Sequence, residues 1–240
     1  MSSLRKAPVK AADAANTTAT GVLTGKPDSR IASQGFSQGM SGGSTPSLVE
    51  IGRLMADKAT VNSNGGLVSA AVTTFGNTMG SAIAKGIQSV FSGCSNCKIL
   101  TTGDIEARNR PTKSSGEVFS MILANSSLDY FFPKTDAIGI FAWDGAGQAG
   151  SSGKVFAVSS DGSSSGMLGL ARRTQASPAD LEFSVPRPGW HHIDQALRAM
   201  SEMEPGNPEI PIRHPGKSNL AYASLADLTI ISATFMWPDT

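Results

Sequence analysis

Apolar side chains are sparse in the first 45 residues, which are instead rich in Ala, Ser, Thr and Gly. A segment of this composition buries too little apolar surface to offset the entropy that it loses on ordering. The pattern therefore predicts a flexible arm over residues 1–45. At the end of the arm, Thr45 and Pro46 are typical of a helix start, the first as N-cap and the second in the first turn.

The most regular pattern lies in residues 67–91, where apolar side chains recur at steps of three and four, the spacing of one helix face. The positions are Val68, Val72, Phe75, Met79, Ile83, Ile87 and Phe91. The spacing predicts a single amphipathic helix whose apolar face packs on another surface or on a membrane. Gly76, Gly80 and Ala84 add a ridge of small residues, which allows close approach of a second helix. We therefore expect a helical segment over residues 46–93.

From residue 94 onward, short β-prone runs alternate with segments of turn composition. Strands are predicted over residues 97–106, 117–123, 137–143, 154–159, 167–172, 181–185 and 228–237, and one helix over residues 191–203. Helices do not alternate regularly with these strands, which argues against a doubly wound α/β fold. The pattern predicts a mainly β protein, with an antiparallel β-sandwich or jelly roll over residues 94–240.

Charged residues make up 16% of the chain, against about a quarter in typical proteins, and 26 residues are glycine. Such a composition suits a subunit whose surface is covered by its neighbours. The net charge of +1 gives no global indication of nucleic-acid binding. The arm is weakly basic, and its cationic residues are candidates for RNA contact: Arg5, Lys6, Lys10, Lys26 and Arg30. The first residues lack the apolar run of a secretory signal.

Motifs for catalysis or cofactor binding are missing from the sequence. It contains neither a phosphate-binding loop nor a nucleophile elbow, so we expect a protein that is not an enzyme and holds no cofactor. Cys94 and Cys97 allow redox chemistry, half of a metal site or two free thiols. Free thiols are favoured, because a zinc site needs two further ligands and the histidines are about 100 residues away. Asp136, Asp144 and Asp161 flank predicted turns. We interpret them as solvated turn residues in preference to ligands of a divalent cation.

The order of these segments carries a resemblance. The arm of residues 1–45, the β-rich region of residues 97–237 and its terminal strand, residues 228–237, together resemble the coat proteins of small non-enveloped RNA viruses. The resemblance implies a single jelly roll that assembles with copies of itself into a shell around an RNA genome. It also implies a location in the virion after assembly in the host cytoplasm. The alternatives are a protein that binds a membrane or a partner through helix 67–91, and a soluble ligand-binding β-sandwich.

Overall fold

The structure is a computed structural model that describes residues 20–22, 42–44, 47–74, 78–105, 110–163, 179–181, 186–203 and 212. The chain divides into two compact units. The larger unit comprises Leu48–Glu182 and Ile212–Ile231. The smaller unit comprises Met1–Ser47, Phe183–Pro211 and Ser232–Thr240.

Helices and strands alternate through most of the described chain. In order they are β1 (Thr20–Val22), β2 (Gly42–Ser44), α1 (Leu48–Asn62), β3 (Val68–Thr74), α2 (Thr78–Phe91), β4 (Cys97–Asp104), α3 (Arg110–Ala124), β5 (Tyr130–Phe132), α4 (Asp136–Gln148), β6 (Phe156–Ser160), β7 (Ala179–Leu181) and α5 (Pro186–Met200). In the smaller unit, β1 pairs in parallel with β2, and α5 packs against both strands.

The larger unit is built on a five-stranded sheet with the order β4-β3-β5-β6-β7. Every described pairing in this sheet is parallel, and the register places Val72 beside Phe132 and Phe131 beside Ala157. The described part of each of the connections β3 to β4, β4 to β5 and β5 to β6 contains one helix. The strand order reverses direction beside β3, which is the arrangement of a doubly wound α/β fold.

One side of the sheet is covered by α1 and α2. Ile51 and Met55 of α1 and Ile87 of α2 are fully buried. The ring of Phe91 packs edge-on against Phe132 of β5, with ring centroids 5.9 Å apart. The two helices pack tightly on each other, because glycines at their crossing allow backbone contact.

The other side of the sheet is covered by α3 and α4. Its core is a cluster of buried side chains: Ala71, Ile105, Val118, Met121, Ile122, Leu128, Phe131, Ile138, Ala142, Ala146 and Val155. The helices touch where a Cβ atom at Gly145 would lie 2.5 Å from the carbonyl oxygen of Ser115. A sheet buried on both faces is expected for parallel strands, whose crossover helices must lie above and below it.

The predicted antiparallel β-sandwich or jelly roll is therefore wrong. A strand with one solvent-exposed face is identified by alternating apolar and polar residues. Parallel strands that are buried on both faces lack this alternation. Two of the predicted strands, residues 117–123 and 137–143, lie in the helices α3 and α4. A short apolar run in a buried helix has the same composition as a buried strand, so the sequence pattern did not separate them.

The single helix predicted over residues 67–91 is also wrong, because Val68–Thr74 forms β3 and, among the described residues of this range, only Thr78–Phe91 is helical. Other elements lie where the pattern placed them. Helix α1 fills the start of the predicted helical segment, and β4 and β6 overlap the strands predicted at residues 97–106 and 154–159. Helix α5 begins five residues before the predicted helix of residues 191–203.

Several predictions fall largely outside the described residues. The strands predicted at residues 167–172 and 228–237 belong to this group. The strand predicted at residues 181–185 meets β7 at residue 181 alone among the described positions. The flexible arm is described only where β1 and β2 lie.

Cys94 and Cys97 form a disulfide, so the expectation of two free thiols is wrong. The bond closes the turn that joins the end of α2 to the start of β4. No helix among the described residues has both the length and the apolar character to span a membrane.

Candidate functional site at the carboxyl edge of the sheet

The strand order of the larger unit defines where a ligand is expected to bind. Strands β3 and β5 are neighbours, but the chain passes from β3 to β4 on one side before it returns to β5 on the other. In open α/β sheets the connections leave such a point in opposite directions, and a crevice forms between them. Open α/β sheets bind ligands at this position. The residues at the carboxyl ends of β3, β4, β5 and β6 are thus the candidate site.

Polar groups are concentrated in the segment that joins β5 to α4. Lys134 is buried, and its carbonyl oxygen accepts a hydrogen bond of 2.6 Å from the hydroxyl of Ser160 at the end of β6. Thr135 is the N-cap of α4, with an extended backbone. Its carbonyl accepts the N–H groups of Ile138 and Gly139, both at 3.0 Å. Its hydroxyl oxygen is buried and has no hydrogen-bond partner among the described residues.

Asp136 fixes the loop that follows β6. Its side chain is buried, and Oδ2 accepts the backbone N–H of Ser163 at 2.7 Å. Asp136 lies in the first turn of α4, where the aligned peptide dipoles favour negative charge. Between these contacts the loop turns at Asp161 and Gly162, with φ of 117° and 62°. A positive φ is strained for a residue with a side chain, and strain of this kind is concentrated at functional sites.

The ends of β3 and β4 contribute a hydroxyl and a carboxylate. Thr73 is 2% exposed, and its hydroxyl oxygen has no hydrogen-bond partner in the described part of the chain. Its Cγ2 lies 3.8 Å from the position that a Cβ atom on Gly103 would occupy, so both residues lie on the α3 side of the sheet. Asp104 is exposed at the end of β4 and is paired in the register with Thr74. The edge therefore offers a hydroxyl, which can donate or accept a hydrogen bond, and a carboxylate, which accepts.

In the described part of the chain, two groups have perturbed pKa values, and both lie at the opposite, amino edge of the sheet. Burial raises the pKa of Asp129, although hydrogen bonds from backbone N–H groups oppose the shift. Burial and the charge of Asp129 raise the pKa of Tyr130. Asp129 Oδ1 accepts the Ser69 N–H at 2.7 Å, and the Asp129 carbonyl accepts the Phe156 N–H at 2.8 Å. Asp129 thus ties β3, β5 and β6 together and serves the fold.

The structure describes only some of the residues that were predicted from sequence to form sites. Arg5, Lys6, Lys10, Lys26 and Arg30, the candidates for RNA contact, lie outside the described residues, as does Phe75. Val68 and Val72 lie in β3, and Ile83, Ile87 and Phe91 lie in α2, all five with buried side chains. Met79 lies in α2, but its side chain is outside the described part.

The sequence pattern predicts turns at Asp136 and Asp161 but does not indicate a site at the carboxyl edge. Asp144 lies on an exposed part of α4, away from its first turn. A local signal was present in Phe-Phe-Pro-Lys-Thr-Asp, residues 131–136, where a buried apolar run ends at a proline and a helix-capping threonine. Among the described residues, no group of three or more His, Cys, Asp or Glu side chains is placed to hold a metal ion.

No model of a known protein family matches the sequence, and no curated protein is significantly similar to it. Solved structures with the same fold do exist. The glucose-galactose binding protein GanP from Geobacillus stearothermophilus matches with a TM-score of 0.73 and 11% identity, over 88% of this chain and 71% of that one. A periplasmic solute-binding protein of an ABC transporter from Actinobacillus succinogenes, with bound D-allose, matches with a TM-score of 0.75 and 17% identity, over 88% and 73%.

A third structure, a Mycobacterium smegmatis protein in complex with β-D-fucofuranose, has a TM-score of 0.73 and 18% identity, over 95% of this chain and 73% of that one. At this level of identity the likeness shows a shared fold. The first two are described as binding proteins, not as enzymes.

These findings correct the functional predictions made from sequence. The resemblance to viral coat proteins is wrong, because the fold is that of solute-binding proteins with a parallel sheet and not a jelly roll. Three predictions depended on that resemblance and are wrong with it: the shell of identical copies, the RNA genome and the virion location. The predicted membrane contact depended on one long helix at residues 67–91 and is wrong as well. The alternative of a soluble ligand-binding β-sandwich is wrong in its fold, because the sheet is parallel and not part of a sandwich.

Proposed function

We propose that this protein is an extracytoplasmic solute-binding protein that holds a small polyhydroxylated ligand, of the sugar class, at the carboxyl edge of its parallel sheet. The observation that carries the proposal is the shared fold. Between 88% and 95% of the chain superposes on structures described as binding glucose and galactose, D-allose or β-D-fucofuranose. The protein acts by binding and release, without chemical change of the ligand.

The chemistry of the carboxyl edge suits a neutral ligand with many hydroxyl groups. A sugar hydroxyl donates one hydrogen bond and accepts others, so it pairs with carboxylates and with threonine hydroxyls alike. The edge carries the carboxylate of Asp104, and the hydroxyls of Thr73 and Thr135 have no partner among the described residues. Unpaired buried hydroxyls are costly unless a ligand or water satisfies them.

The expected location and partner follow from the same comparison and from the disulfide. Disulfides persist in oxidising compartments and are rare in the cytosol of most organisms. Cys94–Cys97 is therefore suited to a protein that works outside the cytoplasm. The neighbour from Actinobacillus succinogenes is described as a component of an ABC transporter. We propose a transporter of that class as the partner that receives the ligand.

Thermal unfolding with a panel of pyranose and furanose monosaccharides tests the proposal. A ligand at 100 times its Kd stabilises the folded state by about 2.7 kcal/mol, which raises the Tm of a chain of this size by roughly 5–10 °C. Calorimetric titration of each sugar that raises the Tm then gives its Kd. If no sugar in the panel raises the Tm or produces heat of binding, the proposal is wrong.

A pair of matched variants locates the site. Asp104→Asn removes a carboxylate at the end of β4, and we expect it to weaken sugar binding about 10- to 100-fold, the usual worth of a hydrogen bond to a charged group. Asp144→Asn makes the same chemical change on an exposed part of α4, and it should leave the Kd unchanged. Equal effects of the two variants would exclude the carboxyl edge as the binding site.

A further inference from the structure

The disulfide between Cys94 and Cys97 lies at the amino edge of the sheet, at the opposite end of β4 from the candidate ligand site. Cys97 is the first residue of β4 and Asp104 is the last. A strand of this length spans roughly 25 Å. The surroundings of the disulfide can therefore be considered independently of ligand binding.

The two sulfur-bearing residues differ in their exposure. Cys97 is 9% exposed, whereas Cys94 is half-buried in a turn whose neighbours, Gly93 and Ser95, are exposed. A thiolate attacks a disulfide at a sulfur that it can reach. Exposure thus directs an incoming thiol to Cys94 and makes Cys97 the leaving group.

The leaving sulfur has a polar neighbour. The Sγ atom of Cys97 lies 3.9 Å from the hydroxyl oxygen of Thr60 on α1. In the disulfide this sulfur carries no hydrogen, so it can only accept. The same hydroxyl donates to the carbonyl of Ala56 at 3.0 Å, which holds it in place. A thiolate released at Cys97 would receive this hydrogen bond once the Thr60 hydroxyl turns from the Ala56 carbonyl towards Sγ. Cys94, by contrast, follows the carboxyl end of α2, where the peptide dipoles disfavour negative charge.

Backbone hydrogen bonds keep the turn closed without the disulfide. The N–H of Cys94 donates to the carbonyl oxygen of Phe91 at 3.1 Å, and the N–H of Cys97 donates to the carbonyl oxygen of Cys94 at 3.2 Å. The neighbouring loop is bound as well, because the carbonyl of Asn96 accepts the N–H of Val68 at 2.9 Å. None of these contacts involves sulfur. The two cysteines would therefore stay adjacent after reduction and could re-form the bond without unfolding.

We propose that Cys94–Cys97 is a reversible thiol-exchange site that is attacked at Cys94. A thiolate of a dithiol reductant forms a bond to Cys94 Sγ, the bond between the cysteines breaks, and Cys97 leaves as a thiolate that takes up a proton. The second thiol of the reductant then attacks the mixed disulfide and releases Cys94. Two electrons and two protons pass to the protein, and the reductant becomes a disulfide.

Glutathione trapping of the folded full chain tests the direction of attack. The protein is incubated with reduced glutathione, the remaining thiols are alkylated, and peptides are analysed by mass spectrometry. We expect at least tenfold more glutathione on Cys94 than on Cys97. Equal amounts on both cysteines, or an excess on Cys97, would overturn the proposed direction of attack.

Two single-cysteine variants give a second measure that does not depend on trapping. In Cys97→Ser the remaining Cys94 thiol should react with Ellman's reagent at least tenfold faster than the Cys97 thiol in Cys94→Ser. Circular dichroism checks that both variants are folded.

Reversibility is tested by treatment of the native protein with dithiothreitol, which should reduce the disulfide and leave the circular dichroism spectrum unchanged. Dithiothreitol is then removed in air, and the disulfide should form again. Reduction that requires denaturant, or thiols that fail to reoxidise, would contradict the inference.

Discussion

Gly52 and Gly86 face each other where α1 crosses α2, and a Cβ atom on Gly86 would lie 3.0 Å from the Cα atom of Gly52. A Cβ atom on Gly52 would overlap the carbonyl oxygen of Ile83, and one on Gly86 would overlap that of Val49. The obstacle in both cases is backbone, which cannot rotate away as a side chain does. These two glycines therefore set the distance between the helices that cover one face of the sheet.

The first prediction concerns this crossing. Gly86→Ala should lower the free energy of unfolding by about 1–3 kcal/mol, because overpacking at a backbone contact outweighs the better helix propensity of alanine. Gly116→Ala is the matched control, since Gly116 is exposed on α3 and a Cβ atom there would have open space. It should raise the free energy of unfolding by up to about 1 kcal/mol. Urea denaturation measures both, and stabilisation by Gly86→Ala would show that the helices can separate freely.

The second prediction concerns the centre of the sheet. Phe132 is fully buried in β5 and packs against Phe91, so Phe132→Ala should cost about 3–5 kcal/mol through lost burial and a cavity. Leu123→Ala also shortens an apolar side chain, but Leu123 is 61% exposed on α3. Its effect should stay within about 0.5 kcal/mol. Similar losses for the two variants in urea denaturation would contradict the described packing.

The third prediction separates stability from ligand binding at Thr73. Thr73→Val removes a buried hydroxyl that has no partner among the described residues and keeps the branched shape of the side chain. The unliganded variant should therefore unfold at a higher Tm, by an amount that corresponds to about 1–3 kcal/mol. If the hydroxyl binds the sugar, the Kd should rise about tenfold at the same time. A variant with raised Tm and unchanged Kd would place the ligand elsewhere, whereas a lowered Tm would mean that the hydroxyl is paired in the free protein.

The fourth prediction follows from the pKa of Asp129. Burial raises that pKa above its ordinary value of 3.8, so the folded state binds the proton more tightly than the unfolded state. The stabilising contribution of this carboxyl is thus fully present below pH 3.8 and is lost as the pH rises through the raised value. Asp129→Asn keeps an acceptor for the Ser69 N–H but has no charge to desolvate, so its stability relative to the wild type should increase from pH 4 to pH 7.

Asp129→Ala is the control for that experiment. Relative to Asp129→Asn, it removes the acceptor and leaves the Ser69 N–H unpaired, which should cost about 1–3 kcal/mol at every pH measured. Urea denaturation of the three proteins at several pH values distinguishes the effects. A wild type that gains stability over Asp129→Asn with rising pH would reverse the sign of the pKa shift.

Local patterns predicted some elements and misassigned others for a definable reason. Helix α1 has a clear amphipathic stripe, and β4 and β6 are bounded by turn residues, so each was placed correctly. In α3, residues 117–123 read Glu-Val-Phe-Ser-Met-Ile-Leu, a run as β-prone as many strands. It is helical because it packs between the sheet and α4, and such tertiary contacts override weak local propensities.

The candidate site depended even more on contacts distant in sequence. Asp136 was noted for its position beside a turn, but nothing near it in sequence indicates that its carboxylate accepts the N–H of Ser163. Thr73 gave no signal, because it belongs to a short strand that merged with the periodic pattern of α2. Parallel pairing brings these residues to one edge, and pairing is not visible in the local sequence.

The sequence by itself predicted local features that depend on near neighbours: a helix where α1 lies, strands that overlap β4 and β6, and a turn at Asp161. Tertiary structure decided that the strands are parallel, that residues 68–74 and 78–91 belong to different elements, and that Cys94 bonds to Cys97. The physical reason is burial on both sides of the sheet. Once strands and helices are both enclosed by apolar neighbours, hydrophobic periodicity no longer distinguishes them, and only the pairing of distant segments does.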